Sequence, residues 1–158
     1  MIWLERIADR IAKEKMVISR PVLGPYLTRW VLAGQRIGPP GSKAVFLHRF
    51  HRSDPDHLHD HPWSFTSLIL AGGYYEHTPA DPRDPAGKTI RRWYGPGRLL
   101  KRTAKWAHRV ELPPGGECWT IIFRGVKERS WFFHCPSGMM GWRDYTEKMD
   151  RGETNPCE

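Results

Sequence analysis

Residues 59–73 read HDHPWSFTSLILAGG, and this stretch decides how the chain is understood. On an extended backbone, side chains two apart share a face. His59 and His61 therefore aim the same way, and Asp60 aims the other way, where it can hold a supporting or turn contact. Two imidazoles on one face are half of a metal site, and a further ligand must come from elsewhere in the chain. Pro62-Trp63 bends the chain after the pair, SFTSLIL has the content of a strand, and Gly72-Gly73 ends it.

The same texture continues on both sides. YLTRWVL, AVFLHRF, GYYEHT, TIRRWY, RLLKRT, HRVEL, CWTIIFRG and SWFFHC are short and rich in aromatic and β-branched residues. Turn signals separate them: GPPGS, SDPD, TPADPRDPAG, YGPG and LPPGG. Many short strands with no helical period between them predict an all-β sandwich or barrel. The exception is the N-terminus, where Ile2, Trp3, Leu4, Ile7 and Ile11 recur at helical spacing among Glu5, Arg6, Asp9 and Arg10. That pattern predicts one short amphipathic helix packed on the domain. Its polar face carries both signs, which argues for packing rather than for a membrane surface. With 158 residues the chain makes a single domain. It divides into the helix and a lead-in over residues 1–20, the barrel over 21–145, and a polar tail over 146–158 that is expected to fray.

Composition narrows the partners. The formal net charge is +8, but Lys and Arg are scattered. The densest group, Arg91 to Lys105, is interrupted by Trp, Tyr, Gly and Leu. It reads as solvated strand faces, so nucleic acid is not the expected partner. The apolar runs are too short to span a membrane. Three cysteines without a CxxC and without a secretory signal point to a reducing, cytoplasmic compartment, with Cys118 and Cys135 as small core residues.

HDHPWSFTSLILAGG and GRLLKRTAKWAHRVEL together resemble the two motifs of the cupin superfamily, over roughly Tyr26 to Phe133. In the first, HxH at His59 and His61 is followed by four residues, Thr66, six residues and Gly73. In the second, Gly97 is followed by five residues, Thr103-Ala104-Lys105, two residues and His108. Ser53 stands for the leading Gly, Leu112 for the closing Asn, and Thr66 for the usual Glu ligand. The resemblance implies a cupin-type double-stranded β-helix, a jelly-roll barrel. It also implies a metal site of His59, His61 and His108, with Thr66 or water left to complete the shell. Three neutral ligands leave a divalent ion its full charge and open positions. Fe(II) is favoured, with Zn, Mn and Ni open.

The HDH pair without a following Glu is similar to the cysteine dioxygenase branch of thiol dioxygenases, and HRVE, from His108 to Glu111, matches that branch's third-ligand strand. By that likeness Arg29, in YLTR, is the candidate clamp for a substrate carboxylate, since a guanidinium offers a planar fork of donors. His134 is the nearest counterpart of that branch's relay histidine. His48 and His51, three apart, should face opposite ways, while His57 reads as a loop residue and His77 as structural.

Three functions follow. The first is an Fe(II)-dependent oxygenase acting on a small anionic molecule. The second is a non-redox isomerase or epimerase using Glu76, Tyr74 or Tyr75 as acid or base. The third is a ligand-binding module without turnover. Pairing through edge strands would give a homodimer.

Overall fold

Alternation sorts the side chains of each strand into those that enter the barrel and those that leave it. The computed structural model describes residues 2–20 and 24–158. The elements run α1 (Ile2–Ile11), β1 (Glu14–Arg20), β2 (Gly24–Gly34), β3 (Ala44–Phe50), β4 (Trp63–Gly72), β5 (Tyr74–Pro79), β6 (Thr89–Tyr94) and β7 (Leu99–Arg102). They continue with β8 (Arg109–Glu111), β9 (Cys118–Lys127), β10 (Phe132–Cys135), β11 (Gly138–Gly141) and α2 (Trp142–Asp150). Every strand pairing is antiparallel.

A six-stranded sheet in the order β1-β2-β3-β9-β4-β7 forms one wall, and the three strands β6-β5-β8 form another. The hairpin β10-β11 adds a small third sheet. The long neighbours β3, β9 and β4 are non-consecutive, as expected when a chain winds back and forth between two walls. At the turn from β4 to β5, Gly72 has a φ of +72°, and a Cβ there would collide with the carbonyl oxygen of Glu117. Only glycine makes that turn without strain.

Leu27, Arg29, Phe46, His48, Ile122 and Ser67 point inward to a cavity. On the opposite face of the same sheet, Trp30, Leu47 and Trp119 are buried under α1. Trp30 and Trp119 stack there with ring centroids 5.5 Å apart. His48 and His51 face opposite ways, as their spacing requires: His48 lines the cavity, and His51 bonds Thr28 on the outside.

Both ends of the chain depart from the sequence reading. The lead-in is a strand: β1 pairs with β2 from Glu14↔Val31 to Arg20↔Gly24. The barrel therefore begins seven residues earlier than the expected boundary at 21, and residues 21–23 of that boundary lie outside the described residues. The tail also carries structure. Helix α2 crosses the expected boundary at 145, and beyond it Cys157 is joined to Cys135 by a disulfide. Cys135 is thus half of a bridge rather than a lone core thiol, and Cys118 is the free, buried cysteine. An odd cysteine count no longer argues for a reducing compartment. Tyr145, stacked on Phe133, seals this corner with Cys157.

Closing a loop across a sequence separation of 22 stabilises by about 3 kcal/mol, chiefly through the unfolded chain. Cys157→Ser is expected to lower stability by about that amount in a urea titration. A midpoint unchanged from the oxidised parent would show that the bridge contributes nothing.

Candidate metal centre

Two short pieces of backbone deliver the histidines. His59 N–H donates to the His108 carbonyl at 2.8 Å, and His108 N–H returns the bond to His59 at 2.9 Å. Such a reciprocal pair sets two residues directly opposite each other, with side chains on one face. His61, two residues on, is fixed by its own N–H to the Ala104 carbonyl at 2.9 Å. The three rings form a nearly equilateral triangle, with centroids 5.1, 5.2 and 5.1 Å apart. One ligand nitrogen from each ring lies within 4.8 Å of the others.

Asp60 turns away, as alternation requires, and anchors the segment from behind. It accepts from Arg129 Nη1 at 2.5 Å and from Phe132 N–H at 2.8 Å, with His134 Nε2 at 3.5 Å. His134 Nε2 lies near Asp60 without a hydrogen bond to it, and His134 is not among the residues lining the cavity. His57, in the loop before the pair, bonds the Tyr145 hydroxyl, and His77 bonds Glu111.

The donor set fits a metal ion. His61 Nε2 and His108 Nε2 lie 2.8 Å apart. Adjacent imidazole nitrogens on one ion, each about 2.1 Å from it, would stand about 3 Å apart. His59 Nδ1 is buried with no hydrogen-bond partner. Burial holds the His59 imidazolium down to about 4, and it pushes His61 well below the usual histidine range, with the neighbouring histidines adding to both effects. Those two rings are accordingly neutral at pH 7, with lone pairs available.

Behind His108 stands a carboxylate that the sequence reading placed elsewhere. His108 Nδ1 donates to Glu76 Oε1 at 2.8 Å, which leaves Nε2 as the free acceptor facing the other two rings. Arg102 reaches the same carboxylate at 3.0 and 2.5 Å, and Trp106 Nε1 at 3.3 Å. Burial alone would raise Glu76, but the hydrogen bonds from His108 and Arg102 outweigh it and hold the group at about 2. Glu76 is thus an orienting group for His108 and does not line the cavity, so it is not placed to act as an acid or base there. Tyr75 lies against Trp93 and Arg91, away from the site, while Tyr74 does line the cavity.

Thr66 is also misplaced by the motif alignment. Phe65 and Ser67 face the cavity, and Thr66 lies instead along a separate groove with Lys101 and Phe123. The inward position nearest the trio is Phe65, whose ring meets His61 edge-on at 4.8 Å. An apolar ring stands where a protein oxygen ligand would be, so Thr66 does not complete the shell.

The histidines line a cavity of about 470 Å³. Its wall is aromatic near the trio, with Trp63, Phe65 and Trp131, and Trp142 of α2 stacks on Trp131 at 5.6 Å. Arg29 lines the same cavity. Its Nε donates to His48 Nε2 at 2.8 Å, and its guanidinium lies over the Phe46 ring. Burial brings Arg29 down to about 10, which leaves it charged at neutral pH. Burial and the charge of Arg29 keep His48 neutral, as its acceptor role requires. Asp54, also in the wall, accepts from the Tyr26 hydroxyl and, at 2.6 Å, from Val110 N–H.

No family model and no curated protein matches the chain. Solved structures do. The polyketide cyclase RemF from Streptomyces resistomycificus superposes with a TM-score of 0.58 at 16% identity, over 89% of this chain and 92% of that one. An uncharacterized conserved protein with a double-stranded β-helix domain, from Klebsiella pneumoniae subsp. pneumoniae MGH 78578, gives 0.51 at 13% identity, over 80% of this chain and 92% of that one. Fe(II)-HppE, solved with the alternative substrate (S)-1-HPP, gives 0.52 at 12% identity, over 72% and 57%. At these identities the likeness is one of fold: the chain is a mostly-β double-stranded β-helix with short terminal helices, the barrel that the cupin motifs implied.

Proposed function

We propose that this protein is a metal-dependent enzyme, an Fe(II)-type oxygenase that acts on a small organic anion with an apolar body. The observation that carries the reading is the buried three-histidine cluster sharing one aromatic-walled cavity with the buried cation Arg29. An ion held by His59, His61 and His108 would supply redox chemistry and a Lewis-acid face with open positions. The residues of the chain do the rest. Arg29 binds the carboxylate or similar group, and His48 fixes the guanidinium by taking its Nε proton donor, so that the fork is aimed before substrate arrives. Glu76 keeps the proton of His108 on Nδ1. Trp63, Phe65 and Trp131 exclude water and contact the apolar body.

The cavity volume falls in the range for small molecules, which favours a metabolite over a macromolecule. A bound divalent ion and Arg29 together outweigh the two carboxylates in the lining, Asp54 and Asp150, so the field selects anions. Fe(II)-HppE and a polyketide cyclase on the same fold show that it serves more than one chemistry. The thiol branch gains no support, because His134 does not line the cavity.

The test is oxygen uptake by protein reconstituted anaerobically with Fe(II), across a panel of small carboxylates that includes thiols. Uptake that depends on Fe(II) and on one of these acids is expected. Arg29→Met should then raise KM by at least about tenfold, the cost of losing one charged hydrogen-bonding partner. Turnover under argon with Zn(II) or Mn(II) would replace the oxygenase by non-redox metal chemistry. A KM unmoved by Arg29→Met would remove Arg29 as the clamp.

A further inference from the structure

Helix α1 buries a different face from the one its apolar pattern suggests. Leu4 and Ala8 pack onto Trp30, Leu47 and Trp119, with Ala12 just beyond the helix. Trp3, Ile7 and Ile11 form a ridge at i, i+4 and i+8 that stays in solvent, at 61%, 48% and 60% exposure. Three large apolar side chains aligned on one ridge are more than the scattered exposure normal for a soluble surface.

The charges on α1 sort in the same way. Asp9 accepts from Trp30 Nε1 at 2.6 Å and pairs with Lys15 at 2.9 Å. Glu5 pairs with Arg49 at 3.0 Å and lies 3.5 Å from Lys15. Both carboxylates of the helix are thus engaged with the body of the protein. Arg6 and Arg10, three residues on from Trp3 and Ile7, are exposed, as is Lys13 just past the helix. None of the three makes an ion pair among the described residues. Both signs are present in the sequence of α1, but its outward side offers an apolar ridge bordered by cations alone.

We propose that this side of α1 docks the protein on an anionic lipid surface. Interfacial helices sink an apolar ridge to the acyl boundary while neighbouring Lys and Arg meet the headgroups. A second copy of the chain fits poorly, because a two-fold contact through this ridge would bring Arg6, Arg10 and Lys13 of both copies together. The net charge of +8 favours the approach to a negative surface as a whole. Docking of this kind is peripheral, since no described helix is long and apolar enough to cross a membrane.

Co-sedimentation with sucrose-loaded vesicles tests the proposal, using phosphatidylcholine alone and phosphatidylcholine with roughly one-third phosphatidylglycerol. The whole protein should sediment with the mixed vesicles and not with pure phosphatidylcholine. Arg6→Glu/Arg10→Glu and, separately, Ile7→Glu/Ile11→Glu should each reduce the bound fraction at least about tenfold. All four positions are exposed, and unchanged circular dichroism would confirm that the barrel is intact. The proposal is overturned if the parent ignores the mixed vesicles. It is also overturned if binding survives Ile7→Glu/Ile11→Glu, since charge alone would then draw any polyanion, an acidic protein included. A dimer in sedimentation equilibrium that Ile7→Glu dissociates, without vesicle binding by the parent, would assign the ridge to self-association.

Discussion

His108→Ala is expected to empty the metal centre: about one equivalent of divalent ion per chain in the reconstituted parent, and background in the variant by elemental analysis. The size of the effect follows from the donor set. Among the described residues three nitrogens converge, and Phe65 puts an apolar ring where a fourth protein ligand would stand. Loss of any one nitrogen leaves two, too few to compete with water and buffer. His59→Ala should give the same result by a different route, because its Nδ1 takes no part in the hydrogen bonding of the barrel. The two variants differ in a second readout. His108→Ala also strips a donor from buried Glu76 and should melt lower, whereas His59→Ala should melt close to the metal-free parent. Metal retained at one equivalent in a folded His108→Ala would remove the three-histidine site.

Glu76→Ala should cost about 3–5 kcal/mol of stability. The carboxylate is only 2% exposed and gathers Arg102, Trp106 and His108. Truncating it strands the Arg102 charge, which is itself largely buried, along with two ring N–H donors. For a chain of this length the loss corresponds to roughly 6–20 °C in Tm. Glu76→Gln separates packing from charge. It keeps the volume and one acceptor, so most of the fold should survive, while metal affinity falls about 10–100-fold as His108 loses its orienting carboxylate. A Glu76→Ala protein that melts within about 2 °C of the parent would show that Arg102 finds another partner and that the network is not structural.

What was legible in the sequence was whatever depended on local period. The HDH spacing put His59 and His61 on one face, and alternation likewise separated His48 from His51. The bends and glycines that punctuate the strands gave the barrel. His108 was reached only through its resemblance to a motif, because it lies 47 residues beyond His61 and nothing local joins them. Glu76 was seen but given the wrong task. Its place behind His108 depends on β5 lying beside β8 in the register Glu76↔Val110, a long-range fact that no window of sequence contains. Thr66 illustrates the cost of a one-residue slip: motif alignment put it at the ligand position, and strand parity turns Phe65 inward and Thr66 out. The Cys135–Cys157 bridge was hidden because α2 between them is short and polar, so its residues resembled a loose tail. In α1 the apolar period was right, but which apolar residues are covered depends on where Trp30 and Trp119 present their faces.

The reciprocal bond between His59 and His108 has a consequence for metal loading. Two of the three donors are locked by backbone pairing, and Asp60 secures the third from behind, so the chain itself holds the nest open. Little folding energy has to be recovered from the incoming ion, and capture can be quick. A rigid nest of imidazole nitrogens discriminates poorly among first-row divalent ions, and the copper end of the series binds imidazole more tightly than iron does. Faithful loading then depends on which ion is abundant and exchangeable when the barrel closes. Protein purified from cells grown in zinc-rich and iron-rich media should therefore differ in the metal it carries, and an inactive preparation would first call for replacement of its metal.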